Sequence, residues 1–266
     1  MNSETAAPAK QSFIIQIYEI QNPYEAEKMI GLGVDHIGSV ILSREEWKVP
    51  SIRETVKLVS ETDSRSSLIP LFSDPDTVFR ALDYYKPHIL HCCEGLGDRN
   101  GIFKNCNNLI ALQESVRKRF PEIKIMRSVP IAETGQMGEM IPSLEAARLF
   151  EAVSDYFLTD TFLINKDQPA GGGFVGITGR ICDRDIARKL VETSRIPVIL
   201  AGGITPENVS DGIKYVCPAG VDSCTGTNAA DDKGNPVRFK KDIQKVKQMV
   251  EAVRNMPKTA CKAVLQ

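Results

Sequence analysis

The sequence predicts an α/β fold, a single-domain (β/α)8 TIM barrel. Three observations carry this reading. Eight short apolar segments alternate with eight segments of helical period, a pattern that belongs to parallel strands joined by helical crossovers. The chain has 266 residues, close to the ~250 typical of a closed barrel. No Gly-x-Gly-x-x-Gly follows the first strand, which removes the main signature of an open, nucleotide-binding sheet.

The elements follow in order. Residues 12–18, rich in Ile, Phe and Tyr, form the first strand. Asn22 caps a helix opened by Pro23 and ended by Gly31 and Gly33. The second strand spans 35–42 and the polar loop 43–48 follows it. Pro50 starts a helix to about Glu61, and residues 67–72 are the third strand. Ser73-Asp74-Pro75 starts a helix with Val78, Phe79 and Leu82 on one face. The fourth strand spans 88–93, a loop 94–100, and a helix runs from about Lys104 to Phe120. The fifth strand spans 123–129, followed by a long loop, 131–141, and a helix, 142–153. The sixth strand spans 156–161. The irregular stretch 162–179 is the longest in the chain and carries Gly171-Gly172-Gly173; loops of that length serve function or move. A helix at 183–193, the seventh strand at 197–201 and a helix beginning at Pro206 come next. The eighth strand lies near Val221–Ser223, and an amphipathic helix of about Lys240–Val253 closes the barrel. The expected organisation is a disordered tail, 1–11, a barrel, 12–256, and a C-terminal tail, 257–266.

Composition excludes several function classes. A net charge of -1 offers no basic surface for nucleic acid or an anionic membrane. The seven cysteines include no Cys-x-x-Cys pair, so neither a zinc knuckle nor a redox motif is indicated. Free thiols suit a reducing compartment, no apolar run approaches a membrane span, and the polar first residues are unlike a signal peptide. The expectation is a cytoplasmic protein acting on a small molecule, as a monomer or a homodimer.

In a barrel the chemistry sits at the C-terminal ends of the strands. Two small-residue turns fall there on adjacent strands: Ala201-Gly202-Gly203-Ile204 after strand seven and Ser223-Cys224-Thr225-Gly226 after strand eight. Small-residue turns leave backbone N–H groups free to cradle phosphate, so Gly202, Gly203, Cys224, Thr225 and Gly226 are the candidate phosphate site. The alternative is that the glycines only make tight turns. The same rule selects Tyr18, Arg44, His91, Cys93, Arg127 and Asp160. An inward Arg127 would pair with Asp160 or clamp an acidic group of the substrate, and Arg44 is a second candidate for that contact. His91 has the intrinsic pKa for proton transfer or is a hydrogen-bonded core histidine. Cys93 is a candidate thiol or, beside Cys92, ordinary apolar filling. His91, Cys93, Glu94 and Asp160 could hold a metal, but no ligand spacing demands one, so the expected metal and cofactor complement is none. His36 and His88 begin strands and fall on the opposite, stability face.

The segment 200–208 and the run Gly220-Val221-Asp222-Ser223-Cys224-Thr225-Gly226 resemble the phosphate-binding strands of phosphoribosylanthranilate isomerase, the tryptophan-pathway barrel. Residues 16–20, 33–38 and 158–161 are similar to its first, second and sixth strands. The resemblance implies an Amadori rearrangement of an N-linked ribosyl phosphate. One carboxylic acid protonates the ring oxygen and a cysteine takes the C2 proton. Asp160 matches the family acid. Tyr18 occupies the cysteine position, and a phenol with a pKa near 10 is a poor base at neutral pH. The family's arginine after strand two falls near Trp47 or Lys48. The reading is an isomerase or epimerase of a phosphorylated sugar or N-glycoside, with Asp160 as acid and His91 or Tyr18 as base partner. Its rivals are a non-catalytic phosphate-ligand barrel that has lost the family base, and a lyase or hydrolase using the 162–179 loop as a lid.

Overall fold

The computed structural model describes residues 13–96, 106–135, 141–162, 178–257 and 261. Eight parallel strands close into a barrel: β1 (Ile14–Ile17), β2 (His36–Ile41), β3 (Arg65–Pro70), β4 (Ile89–Cys92), β5 (Lys124–Ala132), β6 (Tyr156–Phe162), β7 (Val198–Leu200) and β8 (Gly220–Ser223). The seam is the pairing of β1 with β8, with Gln16 opposite Asp222 and Ile17 opposite Ser223. The helices are α1 (Pro23–Gly31), α2 (Pro50–Ser60), α3 (Pro75–Tyr85), α4 (Cys106–Arg119), α5 (Ser143–Phe150), α6 (Arg184–Thr193), α7 (Val209–Val216) and α8 (Ile243–Arg254).

Local chemistry explains where these helices start. Asn22 accepts from the Glu25 amide at 2.9 Å, Asp74 from the Thr77 amide at 3.0 Å, and Asp183 from the Ile186 amide at 3.1 Å. Each satisfies a first-turn donor that the helix leaves unpaired. Strand side chains alternate between lumen and helix layer. The lumen is filled by Tyr18, Val40, Ile69, Ile89, Met126, Leu158 and Ile199. Outward neighbours such as Ile15, Ile17 and Val221 pack under α1, α7 and α8. Burying these side chains stabilises the barrel by roughly 1.5–3 kcal/mol per large aliphatic group.

Four departures from the sequence expectation bear on the site. β5 continues through Pro130 to Ala132; Pro130 sits opposite Asp160 and its carbonyl accepts from Ser143 Oγ at 2.6 Å. α7 begins at Val209 rather than Pro206, because Asn208 is used to hold the turn: its Oδ1 accepts from Thr205 N at 3.0 Å and its Nδ2 donates to Gly203 O at 2.8 Å. An antiparallel hairpin, β9 (Asn228–Ala230) and β10 (Pro236–Lys241), lies between β8 and α8. The final helix therefore starts at Ile243, capped by Asp242, instead of at Lys240. The tail 1–11, the triple glycine 171–173 and most of the 162–179 loop lie outside the described residues, as does the C-terminal tail apart from Pro257 and Cys261.

Candidate active site

A cavity opens at the C-terminal ends of the strands. Tyr18, His91, Cys93, Asp160, Gly202, Gly203, Cys224, Thr225 and Gly226 all line it, together with Glu19 and Asp222.

The two small-residue turns meet on one side. Gly202 and Gly203 have φ of +88° and +66°, a region that favours glycine. A Cβ on Gly203 would lie 2.7 Å from the Arg180 carbonyl carbon, and one on Gly226 would lie 2.2 Å from the Ile204 carbonyl oxygen. Ser223 Oγ donates to that same Ile204 oxygen at 2.8 Å, tying the turns together. Among the described residues, the amides of Gly203, Thr225 and Gly226 donate to no backbone carbonyl. They form a ready anion cradle. Lys241, buried behind it, donates through Nζ to Cys224 O at 2.9 Å and to Asn228 Oδ1 at 2.5 Å. The hairpin thus places Lys241 beneath the turn after β8.

Opposite the cradle, Tyr18 and His91 are locked into the lumen. The Tyr18 ring lies on Gly38, where a Cβ would approach it to 2.2 Å. Its hydroxyl is hydrogen-bonded to Ser67 Oγ and to His91 Nδ1, each at 2.6 Å, and His91 Nε2 is bonded to Ser128 Oγ at 2.8 Å. Both imidazole nitrogens are occupied. Burial, assisted by the nearby charge of Arg127, pushes the His91 pKa down to about 3. Burial, with the charge of Asp222, pushes the Tyr18 phenol well above its ordinary value, and burial does the same to Cys93. The three side chains are therefore neutral at pH 7, and none is a competent proton acceptor there. The histidine takes the hydrogen-bonded core role rather than the role of a free base.

Two arginines lie elsewhere than the sequence suggested. Met126 faces the lumen and Ser128 bonds lumenal His91, so Arg127 between them faces the helix layer. It neither enters the cavity nor pairs with Asp160. Its Nη1 donates to Glu94 Oε2 at 2.6 Å and its Nη2 to Glu94 O at 2.5 Å, and its guanidinium lies 4.8 Å over the Phe150 ring. The pair fixes the chain as it leaves β4. Arg44 is 59% exposed and ion-paired with Asp74 at 3.3 Å, outside the cavity lining. Glu94 is thereby committed to Arg127, and among the described residues no three His, Cys, Asp or Glu side chains are grouped to hold a metal.

Asp160, near the C-terminal end of β6, is partly open to the cavity. Its Oδ1 accepts from the Thr161 amide at 2.9 Å. Burial and the charge of Asp222 raise its pKa to about 7, so a proton is available near neutral pH. The sequence reading passed over Asp222, although a carboxylate inside an apolar strand, two residues before Cys224 and hence on the same face, was the available signal. Burial raises its pKa to about 7, opposed by a hydrogen bond from Gln16 and the charge of Lys241. Alternation along a continuing strand would point Glu19 outward, but the chain turns there at φ +65°. The Glu19 carboxylate is held by Arg238 Nε at 2.6 Å and Asn228 Nδ2 at 3.2 Å. Burial opposes ionisation of Glu19, but these partners bring its pKa below the ordinary value.

Known proteins resemble the chain in sequence and in fold. The family model for N-(5'-phosphoribosyl)anthranilate (PRA) isomerase matches residues 120–252, half of the chain. N-(5'-phosphoribosyl)anthranilate isomerase 2 of Methanosarcina mazei is 37% identical over 145 residues, 53% of this chain and 57% of that protein. The relative from Methanocella arvoryzae is 32% identical over 52% of this chain and 54% of its own length. The matches thus span only a little over half the length of these two relatives. Isomerase 1 of M. mazei is 26% identical over 90% of this chain and 94% of its own. Among solved structures, the phosphoribosylanthranilate isomerase of Thermotoga maritima superposes with a TM-score of 0.62 at 20% identity, covering 92% of this chain and all of that one. The Pyrococcus furiosus enzyme gives 0.61 at 21% identity with the same coverage. These two likenesses speak to the fold. Among the described residues, no helix is long and apolar enough to cross a membrane.

Proposed function

The chain belongs to the N-(5'-phosphoribosyl)anthranilate isomerase family, and we propose that it is a working isomerase of a phosphorylated N-glycoside, with N-(5'-phosphoribosyl)anthranilate as substrate. The observation that carries this is one juxtaposition: Asp160, a carboxyl with a pKa of about 7, shares a cavity with two turns whose amides are free.

The phosphate binds the amides of Gly203, Thr225 and Gly226, and the field of Lys241 supports it. This anchors the ribose across the barrel mouth. Asp160 gives its proton to the ring oxygen as the bond from C1 to that oxygen breaks, leaving an iminium at C1. Loss of the C2 proton to a base gives an enaminol. Protonation at C1 and loss of the C2 hydroxyl proton then give the 1-amino-2-ketose. Proton donors and acceptors balance over the cycle, so the reaction needs no cofactor.

The test separates binding from turnover. Ribose 5-phosphate should inhibit competitively, and Asp160→Asn should lower kcat by about 10²–10⁴ with little change in the affinity for ribose 5-phosphate. A barrel that binds ribose 5-phosphate but leaves N-(5'-phosphoribosyl)anthranilate unconsumed would establish the rival reading, a ligand-binding protein without catalysis.

A further inference from the structure

An isomerisation of this kind needs a proton acceptor, and the resemblance puts Tyr18, just after β1, at the position of the family's cysteine. Tyr18 and His91 spend their polar atoms on each other and on Ser67 and Ser128. Glu19 spends both carboxylate oxygens on Arg238, Asn228 and the Phe239 amide. Besides Asp160, the assigned acid, one acidic side chain in the cavity remains without such commitments.

Asp222 is held by one oxygen only. Its Oδ1 accepts from Gln16 Nε2 at 3.1 Å, and Gln16 Oε1 is bonded to His36 Nδ1 at 3.0 Å. With its oxygen facing a ring N–H of His36, the Gln16 amide must present its NH2 to Asp222. Among the described residues, Oδ2 of Asp222 has no hydrogen-bond partner, and the residue lines the cavity. β7 alone separates β6, which carries Asp160, from β8, which carries Asp222. Two residues beyond Asp222 lies the phosphate turn.

Resting on the isomerase reading, we propose that Asp222 is the catalytic base: Oδ2 removes the C2 proton while Asp160 protonates the ring oxygen. The site has moved its base from β1 to β8. The surroundings distribute the roles. Burial raises both carboxyls to about 7; at Asp222 the amide of Gln16 and the charge of Lys241 act against it and favour the anion, while at Asp160 the charge of Asp222 adds to it and favours the proton. One carboxylate ionised and its neighbour protonated is the state that acid–base isomerisation requires. Of the other titratable groups lining the cavity, Tyr18, His91, Cys93 and Cys224 stay neutral throughout and Glu19 stays ionised. Over one turnover Asp222 gains the C2 proton and Asp160 loses one to the ring oxygen. Protonation of C1 and release of the C2 hydroxyl proton restore both.

The experiment is steady-state kinetics on the full chain with N-(5'-phosphoribosyl)anthranilate, comparing wild type, Asp222→Asn, Asp222→Glu and Tyr18→Phe. Asp222→Asn should lose about 10²–10⁴ in kcat while its affinity for ribose 5-phosphate, read by calorimetry, stays within about threefold of wild type. Asp222→Glu should recover part of the loss. The wild-type kcat profile should fall on the acid side as Asp222 becomes protonated, and Asp222→Asn should lose that limb, which a purely structural role would leave in place. Circular dichroism confirms folding of each variant. If wild type turns over and Asp222→Asn keeps kcat within tenfold while Tyr18→Phe abolishes it, the base assignment is overturned and the isomerase reading stands. If wild type binds ribose 5-phosphate but does not turn over, both are overturned.

Discussion

Replacing Asp160 by Asn should stabilise the barrel, and should do so only at neutral and alkaline pH. The reasoning starts from the pKa of about 7 in the folded chain against an ordinary aspartate value of about 3.9 in the unfolded chain. Between those values the folded state holds a proton that the unfolded state has released. Stability from this group is therefore complete below about pH 4 and is lost as pH rises through 7. From pH 5 to pH 8 the linkage amounts to about 2.5 kcal/mol, at about 1.36 kcal/mol per pH unit over the titrating span. Water in the cavity screens part of the charge, so we expect about 1–2.5 kcal/mol. Wild type alone does not isolate this, because Asp222, also raised to about 7, acts in the same direction and His91 and His36 act in the opposite one. Their pKa values are depressed to about 3 and about 4 by burial, so their contribution appears as pH rises toward 6.5. The difference between variant and wild type cancels the histidines. Urea unfolding at pH 5, 6, 7 and 8 measures it. The asparagine keeps the carbonyl oxygen that accepts from the Thr161 amide, so packing changes little. Stability curves that run parallel within about 0.5 kcal/mol across this range would mean that Asp160 ionises like a solvent-exposed carboxylate. It could not then be the proton donor.

Three further perturbations probe the frame around the acid. Tyr18→Phe removes the partner of both Ser67 Oγ and His91 Nδ1, and leaving buried polar atoms unpaired should cost about 1–3 kcal/mol in urea unfolding at pH 7. Gly203→Val places a side chain at φ +66° against the Arg180 backbone; calorimetry should show ribose 5-phosphate binding weakened at least tenfold, and unchanged binding would remove this turn from the phosphate site. Arg127→Ala strands the Glu94 carboxylate and should cost about 3 kcal/mol of stability, while the KM of the folded variant stays near wild type because the guanidinium faces away from the cavity.

The barrel was legible because its signals are local and repeated: apolar strands, side-chain caps at Asn22, Asp74 and Asp183, and glycines where the chain turns. The hairpin was not. Asn-Ala-Ala is too short and too weakly patterned to announce β9, although Val237 and Phe239 alternate with charged residues after a Gly234 turn at φ +82°. The phosphate side of the cavity is carried by backbone amides, so small residues reveal it directly. The reacting side depends on which way single side chains face. Arg127 reads as a site residue until the inward Met126 and Ser128 fix its direction outward. Glu19 reads as outward until its positive φ turns it in. Asp222 sits inside a strand, where sequence reading looks for core, and its use follows only from the single hydrogen bond to Gln16 and the neighbouring Asp160. That Tyr18 and His91 are engaged with each other depends on contacts between residues 73, 49 and 37 positions apart in the chain, those joining Tyr18, His91, Ser67 and Ser128.

The most direct measurement is to incubate the full chain with N-(5'-phosphoribosyl)anthranilate at pH 7 and follow the carbon spectrum by NMR, with Asp160→Asn alongside. The account predicts that the C1 signal of the ribosylamine gives way to a ketone carbon at C2, with turnover in wild type and about 10²–10⁴-fold less in the variant. A wild-type chain that leaves the substrate unchanged, or a variant that converts it as fast as wild type, would contradict it.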